Sequence, residues 1–478
     1  GERALGPGTV VTAREVGLLS AIGVDEVPVR GVPTVGIVST GDELVRPGDP
    51  LDSDAGQIYD VNSYTTATAV EEAGGEAKLY PHAGDDYDAM ESALRTAAEE
   101  CDLVLSSGST SASAVDVIYR VVEETGELLL HGVAVKPGKP MLVGELAGSA
   151  YIGLPGYPVS ALTIFRAFVA PAIRRAAGRP EPDSATIEGR MALRERYSEG
   201  RLRYMPAGLV TDGNGETLVY PVDKGSGATT SLAEADGVVA IEADTDYLDA
   251  GDPVTVRLFS PDVEPPALLG IGEADPAFTE LLDSLDAPRY LPLGSREGLR
   301  RLRNGVPDIA VVAGPTDEPD DAVALGEWSR EWGLAVPAGN PDDVTGVADL
   351  VDRDLRFVNR ETTSGLRTSL SNRVAALADE RGVDRHDLVD AIDGFERTVK
   401  GVESPARRVA DGRFDVGLGL RETADRLDLG FVSVGTQSVT IYAAVDRSEK
   451  SGVDQIRSAL ETVSDCCESL SGYTFDST

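Results

Sequence analysis

Two lysines three residues apart, Lys136 and Lys139, flank a Pro-Gly turn in "GVAVKPGKPML" (132–142), in a chain with only six lysines among 43 Lys plus Arg. Two ammonium groups on a stiff turn suit a phosphate. Lysine is a compact, strongly hydrated charge, and the surface roles here have gone to arginine. A second stretch, "SSGSTSASAVD" (106–116), joins a predicted strand to a predicted helix. Ser107, Gly108, Ser109 and Ser111 can turn hydroxyls and backbone N–H groups around an anion, and a helix starting near Val115 adds its positive end. Alone, that stretch also reads as a Ser-rich loop with a cap; the lysines favour the anion. Acids occupy further strand ends: Asp42 and Glu43, Asp85 and Asp86, and Asp116. Hard carboxylate oxygens beside a phosphate loop suit Mg²⁺ held between protein and phosphate. His82, His131 and His386 are far apart in sequence and read as structural or surface residues.

The elements that must position these residues alternate. "TVGIVST", "EAKLYPHAG", "DLVLSSG" and "YIGLPG" read as strands. "SYTTATAVEEAGG", "YDAMESALRTAAEEC", "DVIYRVVEETG" and "PVSALTIFRAFVAPAIRRAAG" read as helices. Such alternation predicts a doubly wound α/β sheet, whose ligands sit beyond the carboxyl ends of the strands. "GRPEPDS" (178–184) is a linker, followed by short β runs to Phe259 that predict a small all-β unit. "SPDVEPP" (260–266) is a second linker, and beyond it βα units resume over a length sufficient for two lobes. The expected units are 1–31, 32–178, 183–260 and 265–478. The Pro-rich linker predicts that the last of them folds independently.

Of 478 residues, 81 are Asp or Glu, for a formal net charge of −38. That charge excludes nucleic acid and anionic membranes as partners over most of the surface. Scarce lysine, abundant Asp and few aromatics fit a salt-adapted (halophilic) cytoplasm, where ions screen self-repulsion. No apolar run reaches the ~20 residues that span a bilayer. Nothing at the start reads as a signal peptide, and Cys101, Cys466 and Cys467 form no CxxC, so a reduced, cytoplasmic chain is expected.

"VSTGDEL", "GQIYDVN", "SSGSTSASAVD", "VAVKPGKP" and "GLPGYPVSA" resemble, in order and spacing, the molybdopterin molybdenumtransferase family (MoeA and the gephyrin E domain). "KGSGATTSLAEADGVVAI" and "LDAGDPVTVRLF" resemble that family's C-terminal β-barrel, so the resemblance covers roughly residues 1–260. It implies a three-layer molybdopterin-binding α/β fold followed by a barrel. It also implies insertion of molybdate into adenylylated molybdopterin with Mg²⁺, release of AMP, and a homodimer. Carried over by position, it implies Glu43, Asp85, Asp116 and Lys136 as active-site residues, the three acids among them on Mg²⁺. Lys139 would complete the phosphate turn, and Pro155 and Pro158 would shape the pterin-side loop. The family's Gly-Gly-Val-Ser-Val-Gly loop reads "GSTSAS" here, and Tyr157 stands where Asn is usual. Residues 1–31 read as the remnant of an N-terminal linker domain. That region completes the dimer in the family, so this chain is expected to bind substrate but turn over poorly.

"PLGSREGLRRLRNGVPDIAVV", "GNPDDVTGVADL", "FVNRETTSGLR" and "VADGRFDVGLGL" resemble a two-lobed type 2 periplasmic-binding-protein-like domain. The resemblance implies an oxyanion ligand such as molybdate or tungstate, with Ser295, Thr363, Ser364 and Gly365 as contacts at two helix starts. The expected function is molybdenum-cofactor synthesis with a fused oxyanion-binding domain, other cofactor enzymes being possible partners. The alternative is a non-catalytic molybdate or tungstate sensor that uses the front half as scaffold.

Overall fold

The computed structural model describes residues 2–52, 55–84, 86–108, 112–222, 225, 227–316, 318–466 and 469–475. In the front domain Glu76–Leu79, Thr34–Ser39, Leu103–Ser107 and Ser149–Leu154 run parallel, in that order. Val35, Ile37 and Leu105 face Ile164, Phe165 and Ile173 on one side of the sheet. Val38, Val104 and Tyr151 face Met90, Leu94 and Ile118 on the other, which makes three layers. The strand ends meet the expected loops: Glu43 follows the first strand, Gly108 the third and Pro155 the last.

One edge departs from a doubly wound sheet. Leu142–Leu146 runs antiparallel to Ser149–Leu154, and Gly126–His131 runs antiparallel to Leu142–Leu146, completing six strands. A parallel return needs a crossover of about a dozen residues or more. Here Ala147 and Gly148, at φ 50° and 92°, close a tight hairpin instead. The lysine turn is the connection between the two added strands. The final helix is also interrupted: Pro158–Ile164 passes through a π turn at Phe165–Val169 into Ala170–Ala177. Pro171 has no N–H with which to continue the regular ladder.

Thr186–Met191, Pro253–Leu258, Gly237–Ile241, Leu202–Thr211 and Thr217–Pro221 close into a five-stranded barrel around Met205, Leu209, Val219 and Val256. Val135–Lys136 adds to it by pairing with Leu202–Arg203, so the lysine turn joins the front domain to the barrel.

The C-terminal domain is built on a nine-stranded sheet. Two long strands, Ala322–Val336 and Gly430–Ala444, cross from one lobe to the other. Phe278, Ile309, Val311 and Ile441 centre the first lobe. Leu334, Phe357, Leu366, Leu370 and Val416 centre the second.

The second linker does not leave this domain free. Val210, Tyr220 and Val222 of the barrel share a core with Leu269, Ile271, Leu291 and Val306. Arg289 grips the buried Asp236 with both guanidinium nitrogens, one bond at 2.7 Å, and Asp236 also accepts Leu209 N–H at 2.7 Å. Burial pushes the Tyr220 hydroxyl up to about 12. Lys450 donates to the Thr211 carbonyl at 2.8 Å and to Asp308 at 2.7 Å. An apolar contact with a buried ion pair in it resembles a fixed interface rather than a tether. Among the described residues no helix is long and apolar enough to cross a membrane.

Candidate functional site

The carboxyl edge of the front sheet is tied together by its own backbone. Thr40 donates its N–H to the Ser107 carbonyl at 2.9 Å and its hydroxyl to the same oxygen at 3.1 Å, and it bridges to Ala83. Asn62, at the start of helix Asn62–Ala73, donates its carboxamide to Ser107 Oγ and to the Gly156 carbonyl, both at 2.7 Å. The loops after three strands are thereby held within one bond of each other. Asn62 Oδ1 is buried with no hydrogen-bond partner among the described residues, an acceptor that a ligand donor can satisfy. Gly108 has φ +94°, and a Cβ there would run into the Thr40 carbonyl oxygen, so only glycine lets the chain turn this close to its neighbour.

Beneath the edge lies a buried polar cluster. Asp60 accepts Ser63 N–H at 3.0 Å and faces His82 Nε2 at 2.8 Å, while Ser39 and Ser63 hydroxyls are 2.6 Å apart. Asp60 thereby holds the His82 ring at this edge. Sequence reasoning gave no role to Asp60 or Asn62; the only signal was their place in the quoted "GQIYDVN".

Glu43 is exposed at the same edge and folds its carboxylate over Gly41, within 2.6 Å of where a Cβ would stand. Asp42 lies against Gly84, joining the first and second loops. Asp86 caps helix Tyr87–Glu100 by accepting Ala89 N–H at 2.8 Å. Asp85, Ser109 and Ser111 lie outside the described residues, as does the side chain of Asp116, which belongs to helix Ala112–Thr125. Among the described residues no three His, Cys, Asp or Glu side chains form a metal cluster. Pro155 is buried after its strand, and Pro158 opens helix Pro158–Ile164 at its first turn.

The lysine turn is rigid: Gly138 is buried at φ +122°, against Ile164. Its two cations differ. Lys139 is exposed. Lys136 is half-buried, paired with Glu199 of the barrel and 5.5 Å from the Tyr197 ring. Its ammonium, with help from Arg201, holds the Glu199 carboxyl below the usual range against partial burial.

In the C-terminal domain three of the four expected oxyanion contacts converge, but on a carboxylate of the chain itself. Glu273, fully buried after strand Leu268–Gly272, accepts Ser295 Oγ–H at 2.9 Å, Ser295 N–H at 3.2 Å, Ser364 Oγ–H at 2.7 Å and Gly365 N–H at 2.8 Å. Thr363 is beside them through its backbone, its carbonyl accepting Arg296 N–H at 3.3 Å. An oxyanion at these donors meets an occupied site. A second unit charge about 4 Å from Glu273 is opposed by about 4 kcal/mol at an effective dielectric of about 20.

Arg330 supplies the local positive charge. It is fully buried in strand Ala322–Val336, 3.8 Å from Glu273 and 2.9 Å from Asp275, with Gln437 accepting from it on the facing strand at 2.8 and 3.0 Å. Asp275 also caps helix Pro276–Leu282. Arg360 is buried with its Nε unpartnered among the described residues and its Nη1 on the Lys400 carbonyl; burial lowers its pKa. Arg367 stacks 3.9 Å over Phe395 and pairs with Glu396.

Residues 36–175 match the family described as a probable molybdopterin binding domain. Residues 188–259 match the MoeA C-terminal region (domain IV), and residues 287–461 match a PBP superfamily domain. The molybdopterin molybdenumtransferase 2 of Mycobacterium tuberculosis is 34% identical over 264 residues, covering 54% of this chain and 64% of the relative. The molybdopterin molybdenumtransferase of Haemophilus influenzae is 32% identical over the same shares. A crystal structure of the molybdopterin biosynthesis protein MoeA from Pyrococcus horikosii is 37% identical over 54% of this chain and 62% of that one, with a TM-score of 0.46. The chain thus spans somewhat under two thirds of the length of the relatives it matches. Ser107, Gly108, Asn62, Glu43 and Pro155 all fall inside the span that matches the probable molybdopterin binding domain, and the Lys136–Glu199 pair joins it to the span that matches the MoeA C-terminal region.

Proposed function

We propose that this protein acts in molybdenum-cofactor biosynthesis, as a molybdopterin molybdenumtransferase that inserts molybdate into adenylylated molybdopterin with release of AMP. The observation that carries the reading is the Asn62-clamped strand edge, with its Gly108 turn and unsatisfied Asn62 acceptor, inside a domain of the molybdopterin-binding type.

On this reading the phosphates of the nucleotide-linked pterin lie at the Ser107–Ser111 loop, before the positive end of helix Ala112–Thr125. Lys139, already exposed, meets them directly; Lys136 reaches them by exchanging Glu199 for phosphate. Pro155 and Pro158 fix the turn on the pterin side. Holding both reactants at one edge lowers the entropic part of the barrier. Hard carboxylate oxygens at the edge suit Mg²⁺: Glu43 is free to turn toward it, and Asp85 and Asp116 would complete the set. Bound there, Mg²⁺ supplies charge that polarises the phosphoanhydride. A homodimer is the expected assembly.

A sensor that binds molybdate or tungstate at Ser295, Thr363, Ser364 and Gly365 is disfavoured, because Glu273 holds those donors. The test is AMP release from adenylylated molybdopterin, with and without molybdate and Mg²⁺. Release that depends on both supports the transferase. Tight binding of the substrate without release under any condition reduces the front half to a binding scaffold.

A further inference from the structure

Glu273 does more than fill a site. Ser295 opens helix Ser295–Arg303, which packs on the first lobe through Leu299 and Leu302. Ser364 and Gly365 open helix Gly365–Arg381, whose Leu366, Leu370 and Val374 lie in the core of the second lobe. One carboxylate therefore accepts from both lobes across the seam between them. The seam is tight on either side. A Cβ on Gly365 would run into the Ala313 carbonyl, and one on Gly294 would stand 2.6 Å from the Thr363 carbonyl.

A buried carboxylate without partners costs several kcal/mol, so its presence requires compensation. Here four donors and the Arg330 guanidinium 3.8 Å away provide it. Two helix N-termini, two hydroxyls and two backbone N–H groups form the kind of cradle that takes a small anion in solution.

We propose that Glu273 is a tethered ligand: its carboxylate takes the place of a free oxyanion and holds the two lobes closed. The C-terminal domain is then a permanently closed body, fixed to the barrel through Asp236 and Arg289, and it does not respond to oxyanion concentration. Its cradle is nonetheless intact. Removing the side chain exposes donors matched to a tetrahedral oxyanion or a small carboxylate.

The experiment uses the full chain with molybdate, tungstate, sulfate and acetate as probes. Wild-type crystals soaked in tungstate should show no tungsten at Ser295 and Ser364 by anomalous scattering. Glu273→Ala should melt at a lower temperature and regain part of the loss when oxyanion or acetate is added, since a ligand of the native state stabilises it by mass action. Adding Ser364→Ala to that variant should abolish the regain. Tungsten at these donors in the wild type, with Glu273 displaced, overturns the proposal. So does a Glu273→Ala protein that folds, melts like wild type and ignores every anion. Should Glu273→Ala not fold, the wild-type soak decides alone.

Discussion

Lys136 is paired with Glu199, across the junction between the front domain and the barrel. The pair is about one third exposed on each side, so as a surface ion pair it contributes only about 0–1 kcal/mol to stability. A pair this weak can be exchanged for a phosphate at little cost. Lys136→Ala should weaken adenylylated molybdopterin binding by roughly 1.5–3 kcal/mol, the range for charge-assisted hydrogen bonds. Glu199→Gln, which frees the ammonium, should leave binding equal or stronger. Titration calorimetry separates the two; equal losses from both variants would make the pair structural.

Asn62 joins two strand-end loops by its carboxamide alone. Asn62→Ala removes both bonds and should cost about 1–3 kcal/mol of stability. Asn62→Asp keeps the shape but places an acceptor against the Gly156 carbonyl, while the Ser107 hydroxyl can turn to donate to it, so it too should destabilise. Urea unfolding measures both, and substrate affinity should fall in each variant, because the same loops form the anion turn.

Asp236 tests whether barrel and C-terminal domain are one body. Asp236→Ala leaves Arg289 without its counter-charge and Leu209 N–H without its acceptor. Breaking such a buried pair costs about 3–5 kcal/mol. A single calorimetric transition in the wild type should split in two, with the lower one assigned to the separated domain. An unchanged thermogram would mean that the Asp236–Arg289 pair does not hold the two domains together.

Acid and salt act together on this chain. The carboxyls of Glu199, Glu331 and Asp415 are all held below their ordinary values of 4.5 and 3.8, chiefly by hydrogen bonds from Lys136, Arg421 and Arg356. A depressed carboxyl stabilises fully above its unfolded pKa and loses that contribution as pH falls through its folded pKa. Protonation also relieves the repulsion of a −38 charge, the opposite sign. In about 1 M salt, with a Debye length of about 3 Å, the repulsion is screened. There the melting temperature should fall as pH drops from about 5 to about 3, and Glu331→Gln should flatten the drop. A rise on acidification in high salt contradicts this.

Much of the fold is legible in local pattern. Short β-branched runs alternating with helices mark the front sheet, and their glycine ends mark the edge where Ser107, Gly108 and Pro155 meet. The two long crossing strands are not legible, because Glu327, Arg330 and Glu331 interrupt 322–336 with charges that read as solvent-exposed. Arg330 is fully buried only because Asp275, 55 residues earlier, and Gln437, 107 residues later, meet it in three dimensions. Glu273 is hidden for the same reason: its Ser364 partner is 91 residues away, and no periodicity points across such a gap. Likewise, a Pro-rich linker signals a boundary in sequence but says nothing of Asp236 finding Arg289 beyond it.

If the front strand edge binds the nucleotide-linked pterin, a side chain at Gly108 must weaken that binding. Any side chain there is strained at φ +94°, by about 1–3 kcal/mol, and also collides with the Thr40 carbonyl, so the anion turn must shift. The measurement is equilibrium binding of adenylylated molybdopterin to the wild type and to Gly108→Ala, with circular dichroism to verify that both are folded. The wild type should bind saturably and the variant should lose about tenfold or more, as expected for about 1.4 kcal/mol or above. A folded wild type that does not bind, or a variant that binds as well as wild type, contradicts it.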